Sequence, residues 1–391
     1  MPITRRTFTK GALALGGASI LARPSLADSS PILIGYPAAL TGPSSAPSIG
    51  NKRGVDYIVS KINAAGGING RQIEMVVRDT QGDPTKAVNA VQEMISNRKV
   101  HAIWGPNNSG EGLATTPIIA RRNIPNVHIC GVTSLIDKKY PQAYRIAPNN
   151  LQCAEAPRRY CRDVLKVQTV AVVGDSTGYG TMMVTDSSND VEANGLKLAQ
   201  KAQIDANQPD LTPDLLRLRD SGAQAVIVWT VSTGLVARLL NARAAIGWDV
   251  PFVGHSTMGS GEVGKLLDKP ANWDKVYIYG TRSTTYGADD KLPDRVQNFV
   301  DEIKGKIELS DTTLWWVLTG ADAINLIADA VRGSGSSPAE IEGWWNQQAQ
   351  YPGLYANYRF TPDDHNGFPD NELVMSKANS GKDGAFALAP S

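Results

Sequence analysis

The chain has 391 residues, a formal net charge of +1, 42% hydrophobic residues, 37 Gly, 23 Pro and 3 Cys. That length exceeds one ordinary core and suits two lobes of about 100–200 residues each. The balanced charge excludes a protein built around nucleic acid or an anionic membrane surface, and the glycine and proline content fits a globular chain with many tight turns.

The first 27 residues read as an address. Thr4-Arg5-Arg6-Thr7-Phe8 places twin arginines before an apolar run over residues 11–21, and Ser25-Leu26-Ala27 supplies the small residues of a cleavage site. The segment resembles a twin-arginine export signal, so cleavage after Ala27 and a periplasmic location are expected. The run is too short for a membrane anchor, which needs about 20 apolar residues. No later window reads as long and apolar enough to cross a bilayer, so the mature chain is expected to be soluble, not membrane-spanning, and monomeric.

Residues 31–36 form an apolar run that ends at Pro37, a strand, and are followed by Leu40-Thr41-Gly42-Pro43 and a Ser/Ala/Pro-rich stretch to Gly50 that reads as an exposed loop. Val55, Ile58, Val59 and Ile62 recur at helical spacing, and Gly66-Gly67 stops that helix. A strand over 73–77 leads to Asp83-Pro84, an N-cap with proline at the first helical position, and Val88, Val91, Met94 and Ile95 make one apolar face. Residues 100–104 are again a strand. It runs into Gly105-Pro106-Asn107-Asn108-Ser109-Gly110, a loop with free backbone N–H groups at the carboxyl end of a strand, where open α/β sheets bind ligands. A strand over 126–129 precedes the loop Gly131-Val132-Thr133-Ser134, and residues 144–148 leave this unit.

A second series follows: strand 169–173, loop 174–180, a helix to about 194, strand 198–204, a helix entered through Pro213, strand 225–229, loop 230–233, helix 235–246 and strand 251–253. Two tandem series of alternating strands and helices predict two lobes with a ligand cleft between them. Residues 281–286 read as another crossing, followed by helices over 293–303, 313–331 and 338–347 and short strands over 355–360 and 372–375. Cys153 and Cys161, eight apart on a helix, sit about 12 Å from each other, beyond disulfide reach. Free buried thiols are expected, with a bridge from Cys130 left open.

Several motifs now fall in one order: Leu40-Thr41-Gly42-Pro43, Asn63-Ala64-Ala65-Gly66-Gly67-Ile68-Asn69-Gly70, Arg78-Asp79 with Asp83-Pro84, Trp104-Gly105-Pro106-Asn107-Asn108-Ser109, and Gly178-Tyr179-Gly180. Together they resemble the periplasmic solute-binding proteins of ABC importers for branched-chain amino acids, across the whole mature chain. The resemblance implies a two-lobed α/β fold of the type I periplasmic-binding-protein class, each lobe a mainly parallel sheet flanked by helices, with three connections between lobes. It places residues 28–147 and 283–350 in the first lobe and 148–282 and 351–391 in the second. It also implies closure on a small-molecule ligand by a hinge and delivery to an inner-membrane permease.

In the family two first-lobe loops hold the ligand carboxylate. Here they correspond to residues 107–111 and 132–134, so Asn108, Ser109, Gly110, Thr133 and Ser134 are expected to bind it; small residues let the backbone approach an anion that gains from charge-assisted hydrogen bonds. Tyr179 matches an aromatic that covers the ligand, and Trp229, Ser232, His255 and Ser256 are expected on the far wall. One departure bears on the ligand. Amino-acid binders carry an acidic residue just after the strand matched by Pro251-Phe252-Val253-Gly254, whereas this chain has His255-Ser256-Thr257-Met258, with Glu262 the nearest acid. A buried ammonium without a carboxylate partner costs several kcal/mol. The tryptophans Trp104, Trp229, Trp315 and Trp316 near element ends, and Ile49 where the family often has an aromatic, point to a less polar pocket. An aromatic or hydrophobic carboxylic acid is therefore expected, with a branched-chain amino acid, another amino acid or an amide as the alternative, and service to a sensor instead of a permease as a further one.

Catalysis is not expected. Gly174-Asp175-Ser176 resembles a nucleophile turn, yet none of the 4 histidines, His101, His128, His255 and His365, sits in a matching motif. No His/Cys pair has metal-ligand spacing, and the glycine-rich segments lack dinucleotide or P-loop patterns, so no cofactor or metal is expected.

Overall fold

The computed structural model describes residues 30–391, and the expected export signal lies outside them. Two separate sheets organise the chain. The first contains β1 (Ile32–Ala38), β2 (Ile73–Asp79), β3 (Ala102–Trp104), β4 (Asn126–His128) and β5 (Ala143–Arg145) in the order β2-β1-β3-β4-β5, all parallel. The second contains β6 (Thr169–Asp175), β7 (Lys197–Ile204), β8 (Ala225–Trp229), β9 (Phe252–Gly254) and β10 (Val276–Thr281). These are parallel too, and an antiparallel edge strand, Leu373–Lys377, pairs with β10.

Parallel strands need crossovers, and helices supply them on both faces of each sheet. Alternation along β1 sends Ile32, Ile34 and Tyr36 into the main core of the first lobe. Gly35 turns to the other face, where an added Cβ would stand 2.9 Å from Met94 Sδ. The second sheet is likewise covered on both sides.

The chain crosses between the lobes three times. β5 belongs to the first sheet, while α4 (Asn150–Asp163; α1 to α3 are Ser45–Ala64, Pro84–Glu93 and Ser109–Arg121) buries Cys153, Ala154 and Cys161 against the second. After β10 the chain returns to the first core with Tyr286 and Leu292, and it leaves again between Phe368 and Leu373. Residues 351–368 were expected with the second lobe. Tyr351, Tyr355, Tyr358, Phe360 and Phe368 instead complete the first core, because Asp322 on the helix Leu314–Ser334 accepts hydrogen bonds from Leu354 N (2.6 Å), Tyr355 N (2.8 Å) and the Tyr358 hydroxyl (2.7 Å).

Two further expectations change. The Ser/Ala/Pro-rich stretch before Gly50 is helix, not loop: α1 begins at Ser45 and buries Pro47, Ser48, Gly50 and Asn51. Proline is tolerated in a first turn, where its missing N–H has no intrahelical role. Glycines let α1 lie directly on the helix Leu314–Ser334, since a Cβ at Gly54 would collide with the Val317 carbonyl and one at Gly320 with the Asn51 carbonyl. That second helix is also long and apolar enough to cross a bilayer, contrary to expectation, but 83% of its most apolar window is buried inside the first lobe. Cys130, Cys153 and Cys161 are all free and buried.

Candidate functional site

The carboxyl ends of the parallel strands face each other across the interlobe cleft, and the loops that leave them enclose a narrow cavity. Ala39 follows β1, Asn107 to Ser109 follow β3, Ile129 and Gly131 follow β4, Val231 follows β8 and His255 follows β9. The space open to water-sized centres is about 50 Å³, against about 10–15 Å³ for one water on that measure. It suits one small molecule.

Helix starts crowd this space. Asn108 caps α3 by accepting from Gly110 N (2.9 Å). Asn149 caps α4, and Asn150 reaches the cavity. Thr177 caps α5 (Gly178–Ala193), accepting from Gly180 N at 3.2 Å. Buried Asp175 orders that turn: it accepts from Thr177 N (3.0 Å) and from the Thr230 hydroxyl (2.6 Å), tying the loops after β6 and β8 together. The Gly178-Tyr179-Gly180 motif follows from these contacts. A Cβ at Gly180 would strike Asp175, and one at Gly178 would stand 2.8 Å from Gly110 Cα, where the two lobes touch.

Among the described residues, the lining carries no Asp, Glu, Lys or Arg side chain. Tyr179, Tyr279, Trp315 and Trp316 supply an aromatic wall. Within it the enclosed Asn107 Oδ1, Ser109 Oγ, Asn150 Oδ1, Tyr179 hydroxyl and Trp316 Nε1 have no hydrogen-bond partner among the described residues. The amides are oriented by their nitrogens: Asn107 Nδ2 donates to Asn51 Oδ1 (2.7 Å) and Asn150 Nδ2 to Asp186 Oδ2 (2.8 Å). Orphaned buried polar atoms are costly, about 1–3 kcal/mol each, and several in one cavity mark a place that a polar ligand or water completes. Burial raises the Tyr179 hydroxyl well above its ordinary pKa, so it stays a neutral donor.

His255 packs edge-on to Tyr179 (5.6 Å between centroids) and Tyr279 (5.4 Å). Its Nδ1 accepts from Thr257 N at 3.1 Å, which leaves the proton of the neutral ring on Nε2. Burial pushes its pKa down to about 3, and that of His128 also to about 3. Both rings are neutral in the fold and gain a proton on unfolding below about 6.5, so each withdraws stability as pH falls from that value towards 3. Buried Glu111, raised by desolvation from 4.5 to about 7, and Asp322, raised from 3.8 to about 6, act in the opposite sense, each adding stability as pH falls from its folded value towards its ordinary one. The prediction is therefore differential. In calorimetric scans the His128→Asn/His255→Asn double variant loses less melting temperature than the native chain between pH 6.5 and 4; parallel curves would remove the histidines as the cause.

Among the residues expected to bind ligand, the structure brings Asn108, Ser109, Tyr179 and His255 to the cavity. Gly110 sits at the lobe contact with Gly178. Thr133 and Ser134 form an exposed 3-10 turn whose side chains leave the cavity; Gly131, just before them, forms the wall instead. Trp229 is buried in the second lobe's core and Ser232 caps α7 (Thr233–Ala245; α6 is Thr212–Asp220), accepting from Leu235 N at 3.2 Å. Ser256 Oγ accepts from Trp315 Nε1 across the cleft at 2.6 Å. Sequence reasoning missed Ser48, Asn150, Cys153 and Tyr279. Asn150 alone had a signal, as the residue after an N-cap at a crossing between lobes.

A family profile described as periplasmic binding protein matches residues 31–383. The chain belongs to the periplasmic binding protein family. It is 23% identical over 360 residues to a Leu/Ile/Val-binding protein homolog of Brucella abortus, covering 91% of this chain and 92% of that one. Among solved structures, the substrate-binding protein of a branched-chain amino acid transporter from Streptococcus pneumoniae, in complex with isoleucine, superposes with a TM-score of 0.78 at 19% identity, covering 91% of this chain and 97% of that one. An ABC-transporter solute-binding protein from R. palustris in complex with 4-hydroxybenzoate does so with a TM-score of 0.75 at 18% identity, covering 93% and 96%. This periplasmic binding protein thus shares its fold with a protein solved in complex with isoleucine and with one solved in complex with 4-hydroxybenzoate.

Proposed function

We propose that this periplasmic binding protein captures a small carboxylate, an aromatic or hydrophobic carboxylic acid, by closure of its two lobes outside the cytoplasm and hands it to the membrane permease of an ABC importer. The observation that carries this reading is an aromatic-walled cavity with no charged side chain and several unsatisfied hydrogen-bonding groups. Ser109 and the start of α3 face one side with donors, which a carboxylate accepts favourably at a helix N-terminus. Glu262, the nearest acid after β9, is exposed and outside the lining. An ammonium would lose its hydration without gaining a carboxylate, at a cost of several kcal/mol. A ring hydroxyl fits the same wall, because Asn107 Oδ1 and Asn150 Oδ1 can accept its proton.

Those two amide oxygens also support a second reading, an amino acid whose ammonium donates to them, and a relative is named for binding leucine, isoleucine and valine. A melting screen separates the two. With 4-hydroxybenzoate at 100 times its Kd, binding adds about 2.7 kcal/mol and raises Tm by several degrees, and leucine gives no shift. A shift with leucine alone would overturn the aromatic-acid reading. Tyr179→Ala is expected to weaken that binding at least about tenfold, the value of one lost aromatic contact, with the unliganded Tm little changed; unaltered affinity by calorimetry would take Tyr179 out of the ligand's wall.

A further inference from the structure

Arg145, the last residue of β5, is a buried cation, 2% exposed, that sits behind the cavity without touching it. Its Nη1 donates to three successive carbonyl oxygens, those of Cys130 (3.2 Å), Gly131 (3.2 Å) and Val132 (2.9 Å). Its Nε donates to Asn366 Oδ1 at 2.8 Å. The backbone adds two bonds to the same segment, Arg145 N to His365 O (3.0 Å) and Gly367 N to Arg145 O (2.9 Å). No carboxylate lies within ion-pairing distance of this guanidinium among the described residues; the acid that influences it is exposed Asp364.

Two consequences follow from elementary geometry. A trans peptide points its N–H opposite its C=O, so gripping three consecutive carbonyls turns the N–H groups of Gly131, Val132 and Thr133 away from the cation. None of those N–H groups has an acceptor among the described residues, and Gly131 forms part of the cavity wall. Successive N–H groups on one side of a loop make an anion-binding concavity. The second consequence is a net positive charge one peptide behind that wall, in surroundings that screen it far less than water. Burial lowers the guanidinium pKa only to about 10, so the charge persists at neutral pH.

We infer that Arg145 is the positioning residue that makes this cavity select an anion: it builds the Gly131 to Thr133 turn into a donor surface, supplies the positive field behind it, and fastens that surface to the segment that carries the chain back to the second lobe. This rests on the carboxylate reading above. A buried arginine gripping carbonyls can also be purely structural, and the chain contains its own control. Arg243 donates to the carbonyls of Val250 (3.2 Å), Asn272 (2.8 Å) and Asp274 (2.8 Å) within the second lobe, remote from the cavity.

The test measures affinity for 4-hydroxybenzoate, its neutral analogue 4-hydroxybenzamide and a series of aliphatic carboxylates, in the native chain and in Arg145→Gln, Arg145→Lys and Arg243→Gln. Arg145→Gln is expected to lose at least about tenfold for the carboxylate and less than about twofold for the amide. Arg145→Lys keeps the charge and recovers a carboxylate preference, and Arg243→Gln lowers Tm without changing the carboxylate-to-amide ratio. Equal losses for acid and amide in Arg145→Gln, or a ratio that Arg243→Gln also changes, would overturn the inference while leaving the carboxylate reading intact. Should Arg145→Gln fail to fold, a Lys variant with no more preference for acid over amide than an uncharged pocket shows would overturn it in the same way. If the native chain binds only aliphatic carboxylates, the aromatic reading falls and the Arg145 ratio is read on those ligands. If it binds amides and no carboxylate, both fall.

Discussion

Gly178→Val weakens ligand binding by at least about tenfold and leaves the unliganded protein as stable as the native chain, or slightly more so. Gly178 is the first residue of α5, exposed on its own lobe, and it is not among the glycines with positive φ. A side chain there is compatible with the backbone and replaces the worst helix former after proline. The cost appears only on closure. An added Cβ would stand 2.8 Å from Gly110 Cα and 3.1 Å from Gly110 N on the opposite lobe, and neither backbone atom can give way without moving a helix. Strain of about 1.4 kcal/mol in the closed state already reduces affinity tenfold. Calorimetric titration with the ligand found in the melting screen, together with an unliganded melt, checks both halves. Native affinity in Gly178→Val would mean that the lobes do not meet at this point when ligand is bound.

Gly320→Val is the variant expected to cost most in stability, about 3 kcal/mol or more. The helix Leu314–Ser334 and α1 pack at backbone distance over Gly54 and Gly320, and a Cβ at Gly320 would meet Asn51 O and its carbonyl carbon. Asn51 also donates to Trp316 O (2.7 Å) and the Thr319 hydroxyl (2.8 Å), so pushing the helices apart breaks those bonds as well. Trp315 and Trp316 lie one turn before Gly320 and line the cavity, which couples this packing to the site. Loss of Tm without loss of folding is the expected result by calorimetry; a native Tm would show that the helices can separate cheaply.

The strands were legible because each is a short apolar run bounded by turn residues, and their order in the chain announced parallel sheets. The motif Gly178-Tyr179-Gly180 was legible as a loop at the cleft, where Tyr179 lines the cavity, though not the separate reasons for its two glycines, one a lobe contact and the other room for Asp175. Thr133 and Ser134 show the limit. Small hydroxyl residues after a strand look like an anion clamp, but a 3-10 turn directs both outward and leaves Gly131 at the wall. Residues 45–50 failed for a related cause. Their Ser/Ala/Pro/Gly composition has low helix propensity, and it is helix because a glycine-lined partner lets it pack at close range.

The sequence alone determined the α/β class, the tandem series of strands and helices, the loops at the strand ends and the lack of an acid after β9, since all of these depend on local periodicity and on which residue types are present. Only the tertiary structure decided that residues 351–368 complete the first lobe, that Trp315 and Trp316 reach the cavity while Trp104 and Trp229 do not, and that Arg145 stands behind the Gly131 turn. Those facts depend on contacts between segments as far apart as Arg145 and Asn366 or Asn51 and Trp316. Local sequence carries no record of a partner more than two hundred residues away.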